Sequence, residues 1–252
     1  AVLAVPAPTD DSYRLPGVLS AAGFGAGPYP TKEFPPTPAA IDTVPATQSV
    51  AESQIIDLTA QYRDGKLTWD APPGKWTILR FGHTSTGVEN HPSPEPGLGL
   101  ESDKLSQEAT KAQFDGLMAK LVADNGPLVG NTLVSTHIDS WETGTQDWTP
   151  KFREEFKQLR GYDPLPYLPV LTGRVVGSLD ASQRFLWDMR QTTSDLLLQN
   201  YAVAMRTLAH QHGLHLSIEG YTAPTDDLTY GGVADEPMAE FWSSPPYGAA
   251  ET

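Results

Sequence analysis

The 252-residue chain contains no cysteine, which excludes a disulfide scaffold, a thiolate zinc site and a cysteine nucleophile. It has little positive charge: 17 Lys and Arg stand against 31 Asp and Glu, for a net charge of −14 and a pI near 4.7. Those basic residues are scattered rather than clustered, so the chain should repel phosphate backbones and anionic lipid, and no nucleic-acid partner is expected. No run approaches the roughly 20 apolar residues that span a bilayer, so no membrane insertion is expected either. The opening AVLAVPAP is apolar but lacks the basic segment of a signal peptide.

What the chain has in plenty is proline, glycine and aromatics: 23 Pro, 22 Gly, six Trp, nine Tyr and eight Phe. Disordered chains avoid aromatics, so this pairing points to a loop-rich globular fold with its working residues on connections. Residues 1–50 hold nine of the prolines and show no helical period. Ala1–Val5 and Ser53–Leu58 read as short strands, with residues 20–45 read equally well as linker. Lys66–Asp70 and Trp76–Phe81 alternate around Ala71-Pro72-Pro73-Gly74, as two strands joined by a turn would.

From residue 76 the pattern alternates strand and helix. Trp76–His83 is a strand. Ser106–Asp124 then carries Ala109, Ala112, Leu117 and Leu121 at helical spacing and stops at Asn125-Gly126. Asn131–Ile138 is a second strand, and Thr149-Pro150 opens a helix that ends at Arg160-Gly161. Asp180-Ala181-Ser182-Gln183 has capping-box spacing ahead of a helix reaching Gly213, which would be roughly 45 Å long or kinked. Leu214–Glu219 and Pro237–Trp242 are the last strands. With no hairpin signal between its first three strands, this run predicts a parallel sheet with right-handed crossovers.

In parallel α/β folds, ligands gather at the carboxyl ends of strands. Four strand ends here carry polar residues: His83 in Gly82–Gly87, His137-Ile138-Asp139-Ser140-Trp141-Glu142, Glu219-Gly220-Tyr221, and Glu240-Phe241-Trp242. Carboxylates beside aromatics are the layout of a sugar site, where ring faces stack and hydroxyls bond to acids. Taken singly, each has a plainer explanation. Asp139 serves as a cap, Glu142 as an exposed acid, His137 as a core histidine, and Trp141, Trp148 and Trp242 as packing. Their coincidence at one face is what favours a site. Paired carboxylates perform glycoside hydrolysis because one must donate a proton to the leaving oxygen while the other stays ionised. His137 and Asp139 could also hold a metal, for which hard oxygens suit calcium better than zinc. Gly23-Phe24-Gly25-Ala26-Gly27 matches no phosphate-binding loop, and no G-x-S-x-G elbow is present.

Seven ordered strings between residues 76 and 242 carry a resemblance. They are Trp76–Gly87, Gly99–Ser106, His137–Glu142, Arg160-Gly161-Tyr162-Asp163-Pro164, Leu171-Thr172-Gly173-Arg174, Arg184-Phe185-Leu186-Trp187-Asp188 and Glu240-Phe241-Trp242. Together they resemble the α-L-rhamnosidases of glycoside hydrolase family 106. The resemblance implies a partial (β/α)8 TIM-like barrel over 76–252, preceded by a β-rich, sandwich-like segment over 1–75. It also implies inversion at the anomeric carbon, a calcium-assisted sugar site, a rhamnose-containing oligosaccharide or glycoside as substrate, and a secreted or periplasmic setting.

Carried onto this sequence, Glu142 becomes the acid and Glu240 the base. Glu219 becomes a calcium or hydroxyl contact and the reserve for the second catalytic role. His83, His137, Asp139, Trp141, Tyr221 and Trp242 become sugar contacts. Members of the family are much longer, so 252 residues are expected to hold about half of such a barrel and part of a β module. Gly220 stands where a proline is expected after Glu219, and Ser102 where a cysteine is common. A non-catalytic carbohydrate-binding relative and a barrel glycosidase for another sugar are the competing readings.

Overall fold

A computed structural model describes residues 1–23 and 44–239. It is a mixed α/β arrangement of helices and small sheets. The strand Val2–Pro6 lies at the centre of an antiparallel sheet between Ile56–Asp57 and Trp76–Arg80. Its alternation serves two cores at once. Leu3 and Val5 face the main core, whereas Val2 and Ala4 face a smaller cluster with Leu58, against which Trp69 and Trp76 pack edge to face.

Three expectations for this region are corrected. Trp76–Arg80 pairs with Val2–Pro6 and does not open the parallel sheet. It also does not form a hairpin with Lys66–Asp70; Lys66–Leu67 instead pairs back on Tyr62–Arg63. The turn between them is Asp64-Gly65, both at positive φ (48° and 78°), as a tight two-residue hairpin requires. Finally, Ser53–Leu58 contributes only the two-residue strand Ile56–Asp57, because Glu52–Gln54 coils into a 3-10 turn.

Among the described residues the larger parallel sheet has three strands, with His215–Glu219 at its centre, Ser135–Ile138 on one side and Glu236–Met238 on the other. The strand expected over Asn131–Ile138 is shorter at its start, where residues 128–133 close a turn through hydrogen bonds to the Leu128 carbonyl. The helix expected over Ser106–Asp124 is two helices, Gln107–Gly116 and Met118–Asn125, broken at Leu117. Ser106 caps the first through the Ala109 N–H. Phe114 and Thr110 are its buried residues, while Leu117 is exposed, so part of the expected apolar stripe does not face the core.

The helix Phe152–Arg160 begins two residues after Pro150 and ends, as expected, at Gly161 with φ 83°. The long helix starts earlier than its capping-box reading. Ser178 is the cap, accepting from the Ala181 N–H, and the helix covers Leu179–Leu196. It widens into a π segment, Leu197–Val203, and resumes as Ala204–Gln211. The Asn200 carbonyl in that segment accepts from the buried Thr110 hydroxyl at 2.7 Å, and its amide donates to the Leu105 carbonyl at 2.8 Å. This helix and Phe152–Arg160 bury Phe152, Phe156, Phe185, Met189 and Leu197 in the main core beside Leu216 and Ile218 of the sheet. Among the described residues no helix is long and apolar enough to cross a membrane.

Candidate active site

Parallel pairing sets the candidate site. His137 lies opposite Ser217 and Ile138 opposite Ile218, so Asp139 follows one strand where Glu219 ends its neighbour. Thr136 and Ile138 point into the core, and the alternation turns His137 to the open side. The His137 Nδ1 lies 2.9 Å from the Ser217 hydroxyl, and its Nε2 is 3.9 Å from Asp139 Oδ1. His137 is therefore a half-exposed side chain at a strand end rather than a core histidine.

Ser140 gathers the acids. Its N–H lies 2.9 Å from Asp139 Oδ1 and 3.0 Å from Glu219 Oε2, and its hydroxyl is 3.4 Å from Glu142 Oε1. Glu219 is buried, whereas the Asp139 and Glu142 side chains reach solvent. A hydrogen bond from the Glu219 carboxyl, then the Ser140 N–H, holds the Asp139 carboxyl below its ordinary range despite partial burial. Two carboxyls in hydrogen-bond contact titrate as a pair rather than independently.

Gly220 has a steric reason. A Cβ there would come within 2.9 Å of the Gly231 Cα, so the helix Asp227–Gly231 can close over the strand end only above a glycine. The Gly220 N–H also donates to the Met238 carbonyl at 3.3 Å, a bond proline could not make. Two residues on, Thr222 holds a positive φ of 63°, and its hydroxyl lies 3.0 Å from the Trp141 carbonyl. Strained residues of this kind persist where the surroundings fix them. Tyr221 is half-buried beside this turn, its N–H donating to the Glu219 carbonyl at 3.0 Å.

Trp141 does not have the expected role of a sugar platform. It is 4% exposed, its indole N–H donates to the Gly144 carbonyl, and the Lys104 ammonium sits 5.7 Å from its ring centroid. Lys104 also lies over Tyr201 and pairs with Glu101. From the sequence this buried lysine has no role of its own, although it lies within the Gly99–Ser106 string. His83 lies apart from the acids, on the wall of a cavity of about 850 Å³ shared with Glu101, Asp147 and Trp148. Glu240 and Trp242 fall outside the described residues.

Asp139 and Glu219 offer hard oxygens of the kind calcium takes. No group of three or more metal-binding side chains lies among the described residues, however, and calcium takes about six to eight oxygens. The described residues alone therefore do not make a calcium site.

Comparison with known proteins places this geometry in context. The sequence model of glycoside hydrolase family 106, described as α-L-rhamnosidase, matches residues 26–251. A protein of Formosa agariphila named putative β-glucuronidase is 44% identical over 201 residues, covering 79% of this chain and 17% of that protein. The structure of a rhamnosidase from Novosphingobium sp. PP1Y superposes with a TM-score of 0.77 at 32% identity, over 88% of this chain and 21% of that one. The chain thus spans about a fifth of the length of these relatives.

Proposed function

Because this chain belongs to glycoside hydrolase family 106, we propose that it forms part of an inverting α-L-rhamnosidase. The observation that carries this reading is the convergence of Asp139, Glu142 and Glu219 on Ser140 at the ends of two parallel strands. In the proposed reaction Glu142, on the solvent-reaching loop, donates a proton to the glycosidic oxygen as the bond to the anomeric carbon breaks. Glu240 draws a proton from the water that attacks the opposite face. Asp139 and Glu219 fix the ring by accepting from its hydroxyls, and His137, held at Nδ1 by Ser217, presents Nε2 to the same edge. Calcium belongs to this reading only with ligands beyond the described residues, and no step is derived through it. The partial-barrel architecture, the secreted or periplasmic setting and the rhamnose-containing substrate belong to it as well.

The name of the Formosa relative raises a second reading, a uronic-acid glycoside. A uronate needs a free cation, whereas among the described residues the acid cluster offers only His137, and Arg153 on the neighbouring cavity wall is paired with Asp163. A neutral deoxysugar therefore fits better.

The test is hydrolysis of aryl α-L-rhamnoside and aryl β-D-glucuronide by the longest natural polypeptide carrying this sequence. Rhamnoside turnover that falls on the order of 10²-fold or more in Glu142→Gln and in Glu240→Gln is the expected result. Preference for the glucuronide selects the second reading. Rhamnoside binding without turnover makes the protein a carbohydrate-binding relative, and full activity in either variant removes that residue from the mechanism.

A further inference from the structure

The cavity beside His83 lies between the loop that follows Trp76–Arg80 and the start of the helix Phe152–Arg160. At about 850 Å³ it is large enough for a small-molecule ligand. Its lining is of two kinds. Phe81, Leu168 and Trp148 give apolar faces, and Trp148 is held in place by stacking on Phe152 with centroids 4.7 Å apart. The polar part is acidic: Glu101, Asp103, Asp147 and Glu154 line it beside Arg153, and three of these charges are already engaged. Glu101 is paired with Lys104, Asp103 accepts from the Thr149 hydroxyl and the Leu105 N–H, and Arg153 is bound to Asp163.

Asp147 differs: among the described residues no other residue hydrogen-bonds its carboxylate. Burial pushes that carboxyl up to about 6, so near neutral pH it can donate as well as accept. A wall of aromatic face plus one unspent carboxyl suits a pyranose, which has apolar ring faces and a hydroxyl edge. The net negative charge of the lining disfavours a uronate or a sulfated sugar.

One loop links the cavity to the acid cluster. Residues 139–149 form one loop that carries Asp139 and Glu142 at one end and Gln146, Asp147 and Trp148 at the other. Asp147 is five positions beyond Glu142, so their Cα atoms lie at most about 18 Å apart. The ring of Trp141, on this loop, lies beside the Lys104 ammonium, which pairs with Glu101 on the cavity wall, so the loop is tied to the cavity through that lysine.

We propose that this cavity is a second carbohydrate subsite, taking a neutral sugar residue of the same oligosaccharide whose terminal sugar lies at the acid cluster, with Asp147 bonding its hydroxyls against Trp148. The placement of the terminal sugar rests on the function proposed above; the cavity itself does not.

The experiment follows the indole N–H signals and the His137 ring signals of the full chain by NMR during titration. The probes are methyl α-L-rhamnoside and a rhamnose-capped neutral tetrasaccharide, with wild type, Asp147→Asn and His83→Ala compared. The tetrasaccharide should shift the Trp148 signal, and its affinity should fall about tenfold in Asp147→Asn while that of the monosaccharide does not change. His83→Ala, on an exposed loop, should weaken the tetrasaccharide alone. Tetrasaccharide binding that leaves Trp148 silent, or wild-type affinity in both variants, overturns the subsite and leaves the acid cluster standing. A response at Trp148 with none at His137 supports the subsite and removes the terminal-sugar placement. Silence at both removes both, and equal binding of a galacturonate tetrasaccharide overturns the neutral class.

Discussion

The N–H of Ser140 and the buried carboxylate of Glu219 lie 3.0 Å apart, joining the ends of two parallel strands across 79 residues of sequence. That bond brings Asp139 against Glu219, so the two carboxyls behave as a pair rather than as separate acids.

Replacing Glu219 should therefore move the titration of Asp139. In Glu219→Met the Asp139 carboxyl loses its principal hydrogen bond and should rise toward the ordinary carboxylate range, whereas Glu219→Gln keeps a donor and should leave it depressed. Carboxyl-carbon NMR against pH reads both variants. An Asp139 titration identical in wild type and the Met variant would show that the pair is not coupled.

Asp147 should oppose folding once ionised. Its folded pKa, about 6, lies above the unfolded value, so the fold binds its proton more tightly and loses stability as pH rises between about 4 and 6. Asp147→Asn is thus expected to be more stable than wild type at pH 7.5, on the order of 1–2 kcal/mol after allowing for its partial exposure, and equal to it at pH 3.5. Paired urea unfolding curves at the two pH values measure the difference; a variant less stable at both would refute it.

Asp235 behaves in the opposite sense. Burial alone would raise its carboxyl, but the Leu216 N–H, His210 and Arg206 all donate to it and hold it far below the usual range. Its contribution is present above the unfolded pKa of about 4 and fades as pH falls below that. Asp235→Ala should cost about 2 kcal/mol at pH 7, with the cost shrinking in acid, since it strips a largely buried acceptor from three donors. A cost that does not change between pH 7 and pH 3 would assign the effect to packing instead.

Thr110→Val should cost about 1–3 kcal/mol, because the Asn200 carbonyl would lose its hydroxyl partner and a methyl group cannot donate in its place. Thermal unfolding of this near-isosteric variant, beside Thr110→Ser, checks the claim. Serine should recover most of the loss if the hydroxyl matters, and none if the methyl does.

Much of this was legible in the sequence wherever one residue decides the outcome locally. Gly161, Gly213 and Ser106 end or begin helices as their chemistry dictates, and the strand Leu214–Glu219 places its carboxylate as read. Pairing partners were not legible. Trp76–Arg80 has the same alternation whether its neighbour is Val2–Pro6 or a barrel strand, and only tertiary contact chooses. The Asp64-Gly65 signal for the true hairpin was present but lay within two-residue strands, too short for alternation to show, while the Pro-Pro-Gly turn was louder. At the candidate site, the placement of Asp139 and Glu219 at the ends of neighbouring strands was legible because strand ends are readable. The burial of Trp141 was not, since an indole at a strand end reads alike as a platform or as packing, and neither the cation beneath it nor the role of Ser140 leaves any local pattern.

The strand Val2–Pro6 gives one face to each of two hydrophobic clusters. Losing the smaller cluster strips Val2 and Ala4, and losing the larger strips Leu3 and Val5, yet the five residues can leave the sheet only together. The two regions are thereby fused into one cooperative unit. Amides on either side of this strand should exchange with solvent through a common opening, and a denaturant that melts the Trp69–Trp76 contact should carry the main sheet with it.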